Sequence, residues 1–486
     1  MPSSSRQEPQ EQENLVVYVV ALGCAKNLVD AEVMCGTMAA NGIFLTDDPE
    51  EAHVTLINTC GFIQSARDEA EGAIRDALQW KRKGLRKGLP RWIVVGGCLA
   101  QRSAPEYAKK YPGVDLWMGV DAAPKIHQLL ETLIAKEPVP AIVPKKDAAP
   151  EPAPADAPKP ILDIPTPTPV WLYDENTPRI QTTPDSYAYV KIAEGCNHRC
   201  AFCAIPGIRG NLRSRSLESI VTECKQFLQS GVKELNLIAQ DTTAYGRDLK
   251  PQVTLVDLLK KLDELPGEFW VRILYTHPVH ITPEFLEILG NSKHVVPYLD
   301  VPLQHIDTPI LKSMRRRIDE AGTRELLKTI REKYPQITIR TTVMTGYPGE
   351  TPESYQKLLD FVKEFSFDRL GAFAFSPEPG TPAYEIKEGL VPVKVAEKRR
   401  DEILALQKKI SLKRNLAMMG KELVVLIEER LDKRLWQGRT TGDAPEVDQT
   451  VIVEAPPKCV LKENTFVTVK VNRASDYDLG AVPVAR

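Results

Sequence analysis

The sequence predicts an α/β protein in three parts: a parallel α/β domain, a partial (β/α)6 barrel and a small antiparallel β-barrel. Three observations carry this. In the first hundred residues, three short β-branched runs each end beside a glycine and a cysteine, with helical stretches between them. From Tyr187 onward, strand and helix patterns alternate six times. Beyond Gly420 the texture changes to short strands punctuated by glycine and Asp-Ala-Pro, the pattern of a small all-β unit.

A chain of 486 residues accommodates about three domains. With 43% apolar and 26% charged residues it has the composition of an ordinary globular enzyme, and a net charge of -2 gives no global attraction to nucleic acid or anionic membrane. Residues 1–14 are polar, without the apolar core of a secretory signal, and are expected to be a disordered tip. No run of 18 apolar residues occurs, so the expected location is cytoplasmic. Nine cysteines are sparse and odd in number, which argues against a disulfide framework.

The first domain is expected over 15–134. Its strands are Leu15–Ala21, ending in Leu-Gly-Cys24; Val54–Thr59, running into Cys60-Gly61; and Trp92–Gly97, running into Cys98. Helical patterns at Asp30–Asn41 and Gln64–Lys83 make the order βαβαβ and the sheet parallel. Parallel strands share one C-terminal edge, where open α/β sheets hold their ligands. Cys24, Cys60 and Cys98 are therefore expected to converge there, offering three thiolates to a metal cluster. A free cysteine is commonly a small buried hydrophobe, and Cys35 and Cys224, placed within helices, are read that way. Pro138–Pro169 holds 11 prolines in 32 residues, so 135–184 is expected to be an extended linker.

The second domain, 185–418, opens with the strand Tyr189–Ala193 and then a loop in which Cys196, Cys200 and Cys203 stand as C-x3-C-x2-C. Three thiolates on one short loop can hold three irons of a 4Fe-4S cluster and leave the fourth open to chelate a small molecule. This spacing resembles the radical S-adenosylmethionine (SAM) superfamily. A zinc site with His198 as fourth ligand, or a redox dithiol, uses the same residue types. Later strands are expected at Glu234–Ala239, Trp270–Tyr275, Tyr298–Pro302, Thr338–Thr345 and Leu370–Phe375. Polar residues gather where they end: Gln240 with Asp241, His277, Gln304 with His305, and Gly346 with Glu350. Barrel enzymes place their chemistry on that rim, which makes Gln240, Gln304, Gly346 and Glu350 the candidate cofactor contacts. The run Met314-Arg-Arg-Arg317 is either a solvated helix face or a substrate-binding cation cluster.

Val393–Leu416 reads as a helix closing the barrel, and strands follow at Glu422–Ile427, Trp436–Thr440, Thr450–Val453 and Phe466–Val471 within a third domain, 419–486. That domain carries ten basic and eleven acidic residues, net -1. A barrel gripping RNA by its phosphates would be basic, so its charge favours a protein partner that is itself basic.

Together these pieces resemble the methylthiotransferase family, most closely its ribosomal-protein branch. They are Leu22-Gly-Cys-Ala-Lys-Asn-Leu-Val-Asp30, Asn58-Thr-Cys-Gly-Phe-Ile63, Gly97-Cys-Leu-Ala-Gln-Arg102, Ala193-Glu-Gly-Cys196 with its loop, Ile238-Ala-Gln-Asp-Thr-Thr-Ala-Tyr-Gly246, Pro302-Leu-Gln-His305 and Asp443-Ala-Pro-Glu-Val-Asp448. The transfer-RNA branch has different residues after the first two cysteines. The resemblance implies a methylthiotransferase domain, a radical-SAM partial barrel and a TRAM domain. It also implies two 4Fe-4S clusters, on Cys24, Cys60, Cys98 and on Cys196, Cys200, Cys203, with S-adenosyl-L-methionine in two roles. The implied reaction adds a methylthio group to the β-carbon of an aspartate on small-subunit ribosomal protein S-twelve. A reductase or flavodoxin-type electron donor and a sulfur donor would be further partners. A transfer-RNA substrate is the nearest alternative, and a non-catalytic iron–sulfur electron-transfer protein is a more distant one. Ala25 stands where the family commonly has proline, and Glu378-Pro379 where it has two glutamates.

Overall fold

The computed structural model describes residues 15–136, 160–164, 168–457 and 459–484. The expected tip, 1–14, and most of the Pro-rich stretch lie outside the described residues. The chain divides into two compact units, one holding residues up to 169 together with Thr177–Ile180, the other holding Val170–Asn176 and everything from Gln181.

In the first unit, strands β1 (Val16–Ala21), β2 (Phe44–Thr46), β3 (Val54–Thr59), β4 (Trp92–Gly97), β5 (Leu116–Met118) and β6 (Ile161–Asp163) form one sheet in the order β2-β1-β3-β4-β5-β6. Every pairing is parallel. Strands β3 and β4 are buried along their whole length, the burial that parallel strands covered on both faces require and the reason they read as continuous apolar runs. The expected βαβαβ core is present, with β2, β5 and β6 added at its flanks. Strand β6 corrects the linker expectation, because Ile161 N–H donates to Asp115 O at 2.8 Å inside the stretch expected to be extended and unpacked. Only one flank of an edge strand needs donors, so a strand directly after Pro160 is tolerated.

The second unit contains a six-stranded partial barrel: β7 (Tyr187–Lys191), a short antiparallel ladder of β8 (Ala193–Glu194) with β9 (Arg213–Ser214), then β10 (Glu234–Ile238), β11 (Trp270–Ile273), β12 (Tyr298–Asp300), β13 (Thr338–Thr345) and β14 (Arg369–Ala374). The large strands pair in parallel as β11-β10-β7 and β12-β13-β14, and a parallel bridge between Val271 and Val295 joins the two halves. One continuous apolar core lies between these strands and the surrounding helices, reaching Ile403 and Ile410 of the closing helix Val393–Leu416.

The C-terminal strands β15 (Glu422–Arg430), β16 (Leu435–Arg439), β17 (Val451–Glu454), β18 (Thr465–Ala474) and β19 (Leu479–Pro483) close as β15-β16-β17-β19-β18. Four pairings are antiparallel, but β17 and β19 run parallel, one strand more and one pairing different from the expected barrel. Strand β19 is short, small-sided and ends in proline, so its sequence carries little strand signal.

Candidate functional site

In the first unit, β1, β3 and β4 are neighbours and end level, with Ala21 opposite Asn58 and Thr59 opposite Gly97. Cys24, Cys60 and Cys98 follow these ends, so the expected shared edge exists. Close packing draws it tight: a Cβ on Gly23 would fall 2.7 Å from Cys60 Cβ, and one on Gly61 would fall 2.7 Å from Leu99 Cα. Asn27, in the first turn of the helix Ala25–Ala40, ties the ends together. Its Nδ2 donates to Leu22 O at 3.0 Å and Thr59 O at 2.8 Å, its backbone carbonyl accepts from Asn58 Nδ2 at 2.6 Å, and its Oδ1 lies 3.5 Å from Cys98 Sγ. Asn27 is a site residue that spacing arguments missed, although it sits three places after Cys24. Cys35 and Cys224 are buried, and burial pushes the Cys35 thiol up to about 11.

In the second unit, the loop carrying Cys196, Cys200 and Cys203 leaves the barrel after β8 and is pinned at many points. Gly195 has φ +76°, and a Cβ there would lie 2.0 Å from Asn211 O, so only glycine permits this exit. Cys196 N–H donates to Gly210 O at 3.0 Å, Ala201 N–H to Met314 O at 3.0 Å, and Cys203 N–H to Cys200 O at 3.1 Å. Burial pushes the Cys196 thiol up to about 11 and the Cys203 thiol up to about 12. Thiols so desolvated ionise only against a strong local cation, which is what iron supplies. Among the described residues no fourth cysteine belongs to this loop, so the donor set fits a cluster with one open iron.

His198, the residue that could complete a zinc set, directs Nε2 to Asp241 Oδ2 at 2.7 Å. His280 Nδ1 meets the same oxygen at 2.9 Å, and Thr243 N–H donates to Asp241 Oδ1 at 3.0 Å. The ligand atoms of His198, Asp241 and His280 lie within 4.8 Å of one another, and hydrogen bonding accounts for their convergence. Burial alone would raise the Asp241 carboxyl, but the bonds from His198, His280 and Thr243 outweigh it and hold the group well below the usual carboxylate range. His277 stacks on His198 with ring centroids 3.9 Å apart.

The four candidate cofactor contacts take different positions. Gln240 Nε2 donates to the buried Glu194, which also receives Lys191 Nζ at 2.8 Å and Arg209 Nη1 at 3.1 Å, while Gln240 Oε1 is buried without a partner. Gln304 has φ +71° and bridges to β13, accepting from Met344 N–H at 2.7 Å. Glu350 is turned inward: its Oε1 accepts from Gly346 N–H at 3.0 Å and from Arg399 Nη1 at 2.5 Å, and its Oε2 lies 3.4 Å from His305 Nε2. Gly346 has φ +76° and faces Ala396 of the closing helix, where a Cβ would fall 2.2 Å from the alanine Cβ. Glu350 and Gly346 thus fasten the loop after β13 to the closing helix.

A parallel partial barrel whose first strand delivers three cysteines on one loop defines a protein of the radical-SAM class. Residues 190–362 match the family model described as the radical SAM superfamily, residues 16–119 that of uncharacterized protein family UPF0004, and residues 419–484 that of the TRAM domain. The ribosomal protein uS12 methylthiotransferase RimO of Desulfitobacterium hafniense (strain Y51) is 40% identical over 466 residues, covering 96% of this chain and 98% of its own. That of Acetivibrio thermocellus is 40% identical over 465 residues, covering 95% and 97%. The chain belongs to the uS12 methylthiotransferase family. Among solved structures, the radical S-adenosylmethionine methyltransferase TsrM of Kitasatospora setae, with cobalamin and a [4Fe-4S] cluster bound, shares the fold at a TM-score of 0.53 and 15% identity, over 76% of this chain and 77% of its own. No helix among the described residues is long and apolar enough to cross a membrane.

Proposed function

We propose that this protein transfers a methylthio group to the β-carbon of an aspartate of ribosomal protein uS12, using two 4Fe-4S clusters and S-adenosyl-L-methionine. The observation that carries the reading is the pairing of near-full-length likeness to uS12 methylthiotransferases with two separate cysteine trios, one following the ends of three parallel strands and one on a single loop after β8. Cys196, Cys200 and Cys203 would hold the barrel cluster, and Cys24, Cys60 and Cys98 the auxiliary one. A reduced cluster with an open iron supplies the electron that turns SAM into a hydrogen-abstracting radical, and an aspartate β-carbon is too weakly acidic for an ordinary base.

The chain's own side chains position these groups. Asp241 fixes the cysteine loop through His198, Asn27 draws together the three strand ends of the auxiliary site, and Gln240 and Gln304 face the rim as candidate SAM contacts. Glu350 and Gly346, candidate SAM contacts as well, set the loop after β13. Functional boundaries are 15–134 extended by Ile161–Asp163, then 185–418 and 419–486. A reductase or flavodoxin-type electron donor and a separate sulfur donor would complete the reaction in a cytoplasmic setting.

The test presents the anaerobically reconstituted full-length protein with uS12 and, separately, with transfer RNA, and weighs both products by mass spectrometry. One methylthio group is expected on uS12 and none on RNA; modified RNA with untouched uS12 would assign the enzyme to the other branch. Cys200→Ala should abolish 5′-deoxyadenosine formation. The Cys24, Cys60 and Cys98 triple Ala variant should still form it but transfer no sulfur.

A further inference from the structure

The run Met314-Arg-Arg-Arg317 splits in the fold. Arg315 and Arg317 are exposed, whereas Arg316 is only 8% exposed. Its placement is built from the backbone up. Met314 is fully buried among Ala201, Ile310, Tyr347 and Ala383, and its carbonyl accepts the Ala201 N–H, which locks this segment to the cysteine loop. Arg315 takes φ +57°, an uncommon conformation for a residue with a Cβ, and turns the chain so that Arg316 points inward. Arg316 Nη2 donates to Pro302 O at 2.5 Å, and Nη1 donates to Cys200 Sγ at 3.7 Å. Its Nε is buried with no partner.

Buried charges in proteins are paired, because an isolated one costs several kcal/mol or about that order. Arg316 forms no ion pair with any carboxylate among the described residues, and its guanidinium donates to a carbonyl and a cysteine sulfur. The charge also reaches its surroundings: after burial it is the largest influence holding His277 neutral. A thiolate-ligated cluster, with its net negative charge, would supply the counter-charge that this guanidinium lacks among the described residues. We propose that Arg316 is a positioning residue that sets the reduction potential of the barrel cluster, donating a charge-assisted hydrogen bond to Cys200 Sγ that strengthens when the cluster gains an electron. This rests on the cluster assignment above. Reduction makes the cluster one unit more negative, so a fixed cation and N–H donor beside a ligand sulfur favour the reduced form, and hydrogen bonds to cluster sulfurs are an established control on potential.

The test is an EPR-monitored redox titration without SAM, using dithionite as the one-electron reductant. It is done on full-length protein in which Cys24, Cys60 and Cys98 are Ala, so that only the barrel cluster is read. Arg316→Gln should lower the reduced-to-oxidised ratio at a given potential about tenfold, a shift of about 59 mV to more negative values for one electron. Arg315→Gln and Arg317→Gln should leave the midpoint where it was. If Arg316→Gln cannot retain iron, Arg316→Met, which likewise removes the charge and the donors, decides: a midpoint more negative than the parent supports the role, and an equal or higher one overturns it. An unshifted midpoint in an iron-replete Arg316→Gln protein overturns the proposal, as does a tenfold loss of SAM affinity with no shift, which would make Arg316 a SAM contact instead. Failure of the parent to show any cluster signal would sink the cluster assignment itself, a distinct result.

Discussion

His277 shows how one side chain can couple the barrel rim to pH. Its Nδ1 accepts the Val279 N–H at 3.4 Å, capping a short turn, and its Nε2 is buried without a partner. Burial first, then the charge of Arg316, pushes its pKa down to about 2. In the unfolded chain the ring titrates near its ordinary value of about 6.5. Below that value the unfolded state binds a proton that the folded state refuses, so stability is full at neutral pH and declines as pH falls toward the folded pKa. The slope is about 1.4 kcal/mol per pH unit. Replacing His277 with Asn keeps a short acceptor at the cap and removes the titration. Urea midpoints of both proteins, measured from about pH 7 to about pH 5, should converge as the medium turns acid; parallel decline of the two would show that His277 carries none of the dependence.

At the scale of elements, two helical glycines are expected to respond in opposite directions. Gly36, in the helix Ala25–Ala40, packs against the returning segment Thr177–Ile180, and a Cβ there would lie 2.4 Å from Arg179 N. Backbone cannot yield, so Gly36→Ala must lift the segment, straining the Ile180 N–H bond to Glu32 O and the Arg179–Glu32 ion pair. A cost of about 1–3 kcal/mol follows. Gly72, in the helix Gln64–Arg86, has nothing within 4 Å of its Cβ position, and Gly72→Ala should stabilise by about 0.5–1 kcal/mol. Hydrogen exchange across residues 177–180 would separate them: faster in the first variant, unchanged in the second. The contrast also explains what could be read in advance. The strands ending at Cys24, Cys60 and Cys98 were legible because fully buried parallel strands must be apolar runs. The cysteine loop was legible because ligands of one cluster must be close in sequence or fold. Ile161–Asp163 was hidden because a three-residue edge strand needs one partner and leaves little imprint among prolines. Gly346, expected among the cofactor contacts, also faces Ala396, fifty residues on, which leaves no room for a Cβ, and no local pattern announces so distant a neighbour.

At the scale of the whole second unit, the C-terminal barrel is fastened to the partial barrel by its own charges. Arg439 at the end of β16 donates through Nη2 to Glu234 Oε2 at 2.6 Å and through Nε to Glu428 Oε2 at 2.9 Å, while Arg272 Nε reaches Glu234 Oε1 at 2.6 Å. The segment that follows continues the attachment, with Arg369 Nη2 on Asp443 Oδ1 at 2.5 Å, Tyr187 Oη on Glu446 Oε1 at 2.9 Å, and Tyr298 Oη on Asp448 Oδ2 at 2.5 Å. Four acids of the domain, Glu428, Asp443, Glu446 and Asp448, are thus spent within the protein. The near-neutral domain count therefore misstates what its outer face offers a partner, and an isolated C-terminal domain would expose these groups without their partners. Binding of uS12 has to be measured on the full chain. Arg439→Met removes the central cation and leaves the half-buried Glu428 beside a fully buried Glu234 that retains only Arg272, at a cost of about 3–5 kcal/mol. Because the attachment lies wholly within the second unit, the loss should fall on that unit alone. Denaturant unfolding followed by hydrogen exchange should show residues 185–484 opening earlier while β1, β3 and β4 keep their protection, and equal protection of β15–β19 in variant and parent would show that the ionic attachment contributes nothing to their stability.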